Sequence, residues 1–212
     1  MVKSPLLKKH FPEMDDAMLS RYEEMKELYI EWNQKINVIS RKDMEHFEER
    51  HILHSLAIAK LKLFKPGQKV MDLGAGGGFP GIPLAIFYPD THFTLVDSMR
   101  KKTIVMQEVV DALKLENVTI VNARAEDLKQ KFNYVVCRAV APLLKLSEWC
   151  YSSIDKSKVD FGMLCLKGGD LLAEITEFEE KYKNVQVISY KLQEFYPEDF
   201  FETKKIVRLL NY

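Results

Sequence analysis

The amino-acid sequence predicts an α/β fold of the doubly wound kind, a mostly parallel sheet covered by helices on both faces, with a helical segment ahead of it. Three observations predict it. From residue 69 onward, short apolar runs alternate with longer amphipathic ones, the pattern of strands crossing over through helices. A glycine-rich stretch, VMDLGAGGGFPGIPLAI (70–86), stands where the first strand hands over to a helix. Ahead of both, Met18, Leu19, Tyr22, Met25, Leu28, Tyr29 and Trp32 recur at three- and four-residue steps, as one apolar helix face requires.

The elements follow in order. Residues 15–34 form that first amphipathic helix. A second is predicted from Asp43 to Leu63, with Asp43 as its cap and Phe47, Ile52, Leu53, Leu56 and Ile58 as its apolar side. Pro66-Gly67 punctuates the chain and divides a helical segment, 1–66, from a cofactor-binding unit, 67–212. Strands are predicted at Lys69–Leu73, His92–Asp97, Val118–Asn122, Tyr134–Arg138, Met163–Lys167, Val185–Lys191 and Ile206–Leu210. Helices fall between them at Gly81–Tyr88, Met99–Leu115, Leu143–Tyr151 and Asp170–Lys181. No long helix separates the last two strands, so they form an antiparallel pair at one edge.

Composition narrows the function classes. A chain of 212 residues holds one sizeable core plus an accessory segment. The cysteines, Cys137, Cys150 and Cys165, are odd in number and lack CxxC spacing, which argues against a disulfide scaffold or zinc site and suits a reducing cytoplasm. MVKSPLLKKHFPEMDD carries no long apolar run, so neither a signal peptide nor a membrane span is expected. No histidine stands in metal-ligand spacing. The formal net charge is zero, so a nucleic-acid partner is held by local patches and not by a global field. The patches available are Arg100, Lys101 and Lys102, with Lys35 and Arg41 from the helical segment.

The loop after the first strand admits two parses. Gly76 to Gly81 matches GxGxxG, and Asp97 follows Gly78 by 19 residues, near the ~20 of a dinucleotide fingerprint. The alternative is Asp72-Leu73-Gly74-x-Gly76-x-Gly78, an acidic strand tip before GxGxG. The second is preferred, because an anion at the loop mouth opposes a pyrophosphate but suits the ammonium and sulfonium of S-adenosylmethionine. Asp97 ends the apolar run Phe93–Val96 and either accepts two ribose hydroxyls or caps the following helix. Glu126 follows the third strand and either accepts an adenine amine, beside the backbone of Ala125, or stands exposed in a first turn. The fourth strand ends Cys137-Arg138-Ala139-Val140-Ala141-Pro142 and lacks the Asp/Asn-Pro-Pro-aromatic acceptors used to methylate exocyclic amines. Cys137 and Cys165 lie inside apolar runs and read as core residues, not nucleophiles. An acceptor with its own lone pair, such as a purine N7, remains, and holding it in line with the methyl group requires no general base.

These residues resemble the ribosomal RNA small subunit methyltransferase G family, also called the glucose-inhibited division protein B family. The resemblance rests on WNQKINVIS (32–40), RHILHSL (50–56), DLGAGGGFPGIPLAI (72–86), LVDSMRKK (95–102), RAEDL (124–128) and YVVCRAVAPLLKL (134–146). It implies a Rossmann-like class I methyltransferase fold with a seven-stranded, mostly parallel sheet. It also implies S-adenosylmethionine-dependent N7 methylation of a guanine in the decoding-region loop of 16S ribosomal RNA, or of the small ribosomal subunit. Cofactor contacts implied by the family fall on Gly74, Phe79, Ala125, Glu126 and Arg138; Arg138 otherwise reads as a sheet-end ion-pair residue. The family usually has Asp where this chain has His54 and Asn133. Two rivals stand beside this reading, a nicotinamide-dependent oxidoreductase and a ribosome-assembly factor that binds the cofactor without turnover. Nothing in the sequence demands more than a monomer.

Overall fold

Strand-forming runs rich in Val, Ile, Leu and Phe sit side by side in one sheet of seven strands, ordered β3-β2-β1-β4-β5-β7-β6. In chain order these are β1 (Lys69–Leu73), β2 (His92–Val96), β3 (Val118–Val121), β4 (Tyr134–Arg138), β5 (Gly162–Gly168), β6 (Gln186–Lys191) and β7 (Lys204–Leu210). The computed structural model describes residues 4–158 and 160–210. β1 to β5 run parallel, and β7 inserts antiparallel between β5 and β6. The predicted antiparallel edge pair is therefore present, and the predicted strands differ from the observed ones only at their ends. Asp72 pairs with Leu95 on β2 and Val136 on β4, so three strand tips end level. The chain leaves β1 toward one side for β2 and later returns to its other side as β4. That reversal opens a crevice beyond the tips.

Helices cover both faces. On one, α5 (Gly81–Phe87) and α6 (Arg100–Ala112) bury Leu84, Val105, Met106 and Val109 against Val70, Phe93 and Leu95. On the other, α7 (Leu143–Cys150) and α8 (Leu172–Lys181) bury Leu146, Cys150 and Phe178 against Val135, Cys137 and Cys165. All three cysteines are buried and unpaired, in keeping with a packing role. The hydrogen bond to Cys165 and burial push the Cys137 thiol well up, so it is no nucleophile.

The N-terminal helices share the core of the first face. α1 is Pro5–His10, and α2 is Asp16–Lys35, capped where the Asp15 carboxylate accepts the Met18 N–H at 2.7 Å. Leu19, Tyr22, Met25 and Tyr29 turn inward. The Tyr22 hydroxyl donates to the Pro83 carbonyl at 2.9 Å, and that of Tyr29 to the Gly77 carbonyl. The helical segment thus pins α5 and the glycine loop directly.

The predicted single helix from Asp43 to Leu63 is corrected by the structure. It is broken into α3 (Arg41–Met44), a wide π-type stretch at Glu48–Leu53, α4 (His54–Leu56) and a 3-10 stretch at Ala57–Leu61. Its cap is Ser40, which accepts the Asp43 N–H at 3.1 Å. Asp43 is otherwise engaged: its carboxylate accepts from the Ser40 hydroxyl at 2.7 Å and from Arg50 at 2.9 Å. The widened turn delivers the Arg50 carbonyl and the His51 ring to the tip of β4, where Arg138 meets both.

Candidate active site

The loop after β1 turns through left-handed backbone at Gly74 (φ 64°), Gly76 (φ 59°) and Gly78 (φ 93°). At Gly78 the constraint is also steric, since a β-carbon there would lie 2.5 Å from Ile82 Cδ1 and 2.9 Å from the Tyr29 hydroxyl. The loop is tied to β2: the Ala75 N–H donates to the Val96 carbonyl at 3.0 Å, and the Gly76 N–H to Asp97 Oδ2 at 2.9 Å. Asp97 Oδ1 accepts from the Met99 N–H at 2.8 Å. Asp97 is thus not the α6 cap, which is Met99, but its carboxylate steadies the approach to α6 and lines the space above the loop.

Asp72 is not at the mouth. It is fully buried beneath the loop, and its Oδ2 accepts the Gly81 N–H at 2.7 Å. Oδ1 has no partner, and burial pushes the carboxyl up to about 7 against the opposing pull of Gly81 and Arg138. The expectation of a surface carboxylate facing a ligand ammonium is corrected: Asp72 points beneath the loop that covers it, while its neighbour Leu73 lines the crevice. Asp72 instead occupies the donor at the start of α5, which a pyrophosphate would need.

Above the loop lies a crevice of about 610 Å³. Gly74, Gly76, Phe79, Asp97, Ala125, Glu126 and Arg138 all line it, although they come from four separate stretches of chain. Asp72 and Gly78 do not, Gly78 because its α-carbon is packed against Ile82 and Tyr29. Of the basic candidates, Lys102 reaches the crevice wall. Arg100 and Lys101 stand exposed on the first turn of α6, and Arg41 is exposed at the start of α3. Lys35 pairs with Glu31 at 2.6 Å on the outside of α2.

Sequence reasoning missed part of the wall. Val38, Ile39, His51 and Trp149 line the crevice as well. Asn33 shapes the first two: its Oδ1 accepts from the N–H groups of Val38 (2.9 Å) and Ile39 (3.0 Å), while its Nδ2 donates to the Ile39 carbonyl at 2.7 Å. WNQKINVIS carried this signal only as a resemblance, because an amide clamping a loop leaves no periodicity.

Arg138 closes the floor. It donates to the Arg50 carbonyl at 3.1 Å and to His51 Nδ1 at 3.0 Å, and its guanidinium lies 4.9 Å from the Phe79 ring centre. No carboxylate among the described residues is within ion-pair distance of it, so the sheet-end ion-pair reading does not hold. Burial draws its pKa down to about 10, which leaves it charged at neutral pH. Burial and the facing Arg138 hold His51 near 3, so the ring is neutral, accepts at Nδ1 and keeps its proton on Nε2. That Nε2 is buried without a partner.

Comparison with known proteins identifies the family and the fold. A family model described as rRNA small subunit methyltransferase G matches residues 18–201. The chain is 49% identical over 205 residues to "Ribosomal RNA small subunit methyltransferase G" of Bacteroides thetaiotaomicron, covering 95% of this chain and 97% of that one. Among solved structures, it resembles a SAM dependent methyltransferase from Aquifex aeolicus with a TM-score of 0.58 at 14% identity, covering 81% and 98% of the two chains. It also resembles TYW2 of M. jannaschii, solved in complex with AdoMet, with a TM-score of 0.51 at 16% identity over 74% of each chain. The structural likenesses establish a Rossmann-like methyltransferase fold. No helix among the described residues is long and apolar enough to cross a membrane.

Proposed function

The chain belongs to the rRNA small subunit methyltransferase G family, and on that premise we propose that it methylates N7 of a specific guanine in the decoding-region loop of 16S ribosomal RNA, with S-adenosylmethionine as donor. The observation that carries the reading is the crevice at the strand reversal, lined by glycine backbone with the Asp97 carboxylate tied to the loop and Glu126 across from it on the following strand's exit. Such a site suits an adenosine-bearing cation better than a dinucleotide, since Asp72 already occupies the Gly81 N–H at the start of α5.

In this reading Asp97 accepts the ribose hydroxyls, Ala125 and Glu126 address the adenine edge, and Gly74 and Gly76 let the backbone approach the ligand. The Phe79, His51 and Arg138 cluster meets the amino-acid end, where Arg138 and the free Nε2–H of His51 offer donors to a carboxylate. When bound, S-adenosylmethionine supplies an electrophilic methyl group on a sulfonium. The chain's own task is to hold the purine in line with it and exclude water, a positional effect worth up to ~7–11 kcal/mol. Asp72 and Glu126 are not asked to remove a proton, because N7 carries none.

The test is transfer of tritium from labelled S-adenosylmethionine to small-subunit ribosomal RNA from cells lacking the protein. The label is then mapped by borohydride–aniline cleavage, which cuts at N7-methylguanine. Label on a different atom overturns the N7 assignment. No transfer to naked RNA, precursor particle or assembled subunit overturns the activity.

A further inference from the structure

A second cavity of about 340 Å³ opens over the tips of β4 and β5, sharing Arg138, Ala139 and Val140 with the crevice as a common wall. Ala139 takes left-handed backbone (φ 52°), a conformation that non-glycine residues adopt rarely and mostly at functional turns. The far wall is built from charged and polar side chains: Glu174 of α8, Lys167 of β5, Lys204 of β7 and His54 of α4. Glu174 is held from one side only. Its Oε1 accepts from the Leu143 N–H at 2.7 Å and pairs with Lys167 Nζ at 2.5 Å, which leaves Oε2 without a protein partner. Lys167 is fixed in turn by donating to the Ala141 carbonyl at 2.8 Å. His54 bonds the Arg50 carbonyl through its ring, and its Nε2 is buried with no partner. The buried His54 nitrogen left unmet calls for an explanation, and the Glu174 oxygen in the same cavity is half-buried and free.

We infer that this second cavity receives the Watson–Crick edge of the flipped-out target guanine, and that Glu174 is the residue that selects guanine there. The inference rests on the N7 reading above. Sequence-specific recognition of RNA works on unstacked bases whose edges are hydrogen-bonded in a pocket. If N7 faces the crevice, the opposite edge of the ring, N1–H and the N2 amine, points across the shared wall. That edge carries two adjacent donors in guanine, whereas adenine has an acceptor at N1. The one free carboxylate oxygen of Glu174, with its two lone pairs, accepts from both adjacent donors of guanine and repels the N1 acceptor of adenine, and the lone pair of His54 adds an acceptor to the same wall. Lys167 and Lys204 supply donors for O6.

The reaction gives Glu174 a second use. The N7 lone pair forms the new N–C bond as the S–C bond breaks and sulfur takes that electron pair, leaving the purine cationic. N1–H then becomes more acidic, so a hydrogen bond from it to a carboxylate strengthens as transfer proceeds. The gain offsets the crowding of that cation by Arg138, Lys167 and Lys204.

The test compares small-subunit RNA carrying guanine with RNA carrying inosine, which lacks only the N2 amine, at the mapped target position. With the unmodified protein, inosine is expected to lower kcat/KM by about 10- to 100-fold, the loss for a hydrogen bond to a charged group. In Glu174→Gln, transfer to guanine falls by a similar factor and the inosine penalty shrinks to within about threefold, while calorimetric affinity for S-adenosylmethionine is unchanged. Lys167→Met separates positioning from structure, since a merely structural ion pair predicts that both variants slow guanine and inosine alike. Equal rates on guanine and inosine with the unmodified protein, or an undiminished penalty in Glu174→Gln, overturn the inference and leave the methyltransferase reading standing. Label mapped to an atom other than N7 overturns the reading beneath it.

Discussion

The crevice over β1–β3 and the cavity over β4–β5 lie side by side on one sheet edge, yet they are built from different material. The crevice is organised by backbone turns at Gly74 and Gly76, with Asp97 bridging loop and strand and Phe79, Glu126 and Arg138 completing the wall. The cavity is walled by charged side chains, Glu174 of α8 and Lys167 of β5 held by their ion pair and Lys204 of β7 lying over the Phe200 ring. A backbone-lined site accepts whatever shares a common shape, which in the proposed reading is an adenosine cofactor. A side-chain-lined site discriminates between ligands of similar shape by their donors and acceptors. The difference teaches where specificity resides, and each half of it can be broken separately.

The largest effect is expected at Asp97, the charged side chain that ties loop to strand in the first half. Asp97→Ala removes acceptors for two ribose hydroxyls and also frees the Gly76 and Met99 N–H groups. Two hydrogen bonds to a charged group, at ~1.5–3 kcal/mol each, amount to a loss of about two or more decades in S-adenosylmethionine affinity by calorimetry. Unchanged binding would reduce Asp97 to the α6 entry contact alone. The companion measurement is a thermal shift: S-adenosylmethionine at 100 times its Kd adds ~2.7 kcal/mol, and NAD adds nothing.

Next comes Gly78, which lines neither site but holds the loop in place. Gly78→Ala combines a positive φ with a β-carbon overlapping Ile82 and the Tyr29 hydroxyl. We expect a loss of about 2–4 kcal/mol, seen as a fall of roughly 5–12 °C in Tm. A variant as stable as the parent would show that the loop repacks freely and that its shape is not imposed from below.

Asp72 sharpens the comparison through pH. Its folded pKa is raised to about 7 from the ordinary 3.8, with burial as the first cause. A raised carboxyl binds its proton more tightly in the folded state, so this contribution is fully present below about pH 4 and is lost as pH rises toward 7. Its slope is at most ~1.4 kcal/mol per pH unit. Tm should therefore fall across that window in the parent, with the fall reduced in Asp72→Asn. Identical pH profiles would mean that Arg138 keeps the carboxylate charged throughout.

The two regions also differ in how far the sequence betrays them. Backbone sites require local grammar, glycines at fixed offsets after an acidic strand tip, and DLGAGGG supplies it within seven residues (72–78). Strand runs and the antiparallel edge were legible for the same reason, since a pleat and a short connection leave a periodic trace. Asp97 and Arg138 were legible as strand tips. The cavity's wall draws on residues from 54 to 204, brought together only by sheet order, so no spacing announces it. The break in the helix predicted from Asp43 was hidden because a π-type widening keeps apolar residues near their helical places. Asp72 was read as a ligand-facing residue and is buried beneath the loop, because a strand tip does not say which side of the loop its side chain occupies.

The smallest effect concerns how the RNA is held at all in a chain whose formal net charge is zero. Arg100 and Lys101 are exposed on the first turn of α6, and Lys102, from the same turn, lines the crevice. Cations in a first helical turn oppose the helix dipole, so their placement gains nothing locally. They also flank the exposed side chain of Met99, 54% accessible, which offers an apolar platform beside the charges. A strand of RNA whose target base enters the cavity would pass this rim, and each phosphate neutralised there contributes about 0.7–0.9 to the slope of log K against log salt. The triple variant Arg100→Ala, Lys101→Ala, Lys102→Ala should therefore bind RNA more weakly and flatten that slope by up to about 2, with transfer at saturating RNA largely kept. Its affinity for S-adenosylmethionine should stay close to the parent's, because Lys102 touches the crevice wall while Asp97 carries the principal polar contact. If weakened RNA binding leaves the salt slope intact, the loss comes from shape and not from charge. If both survive, the exposed cations are a solvated helix start, and the phosphate track runs instead past Lys204 at the mouth of the second cavity.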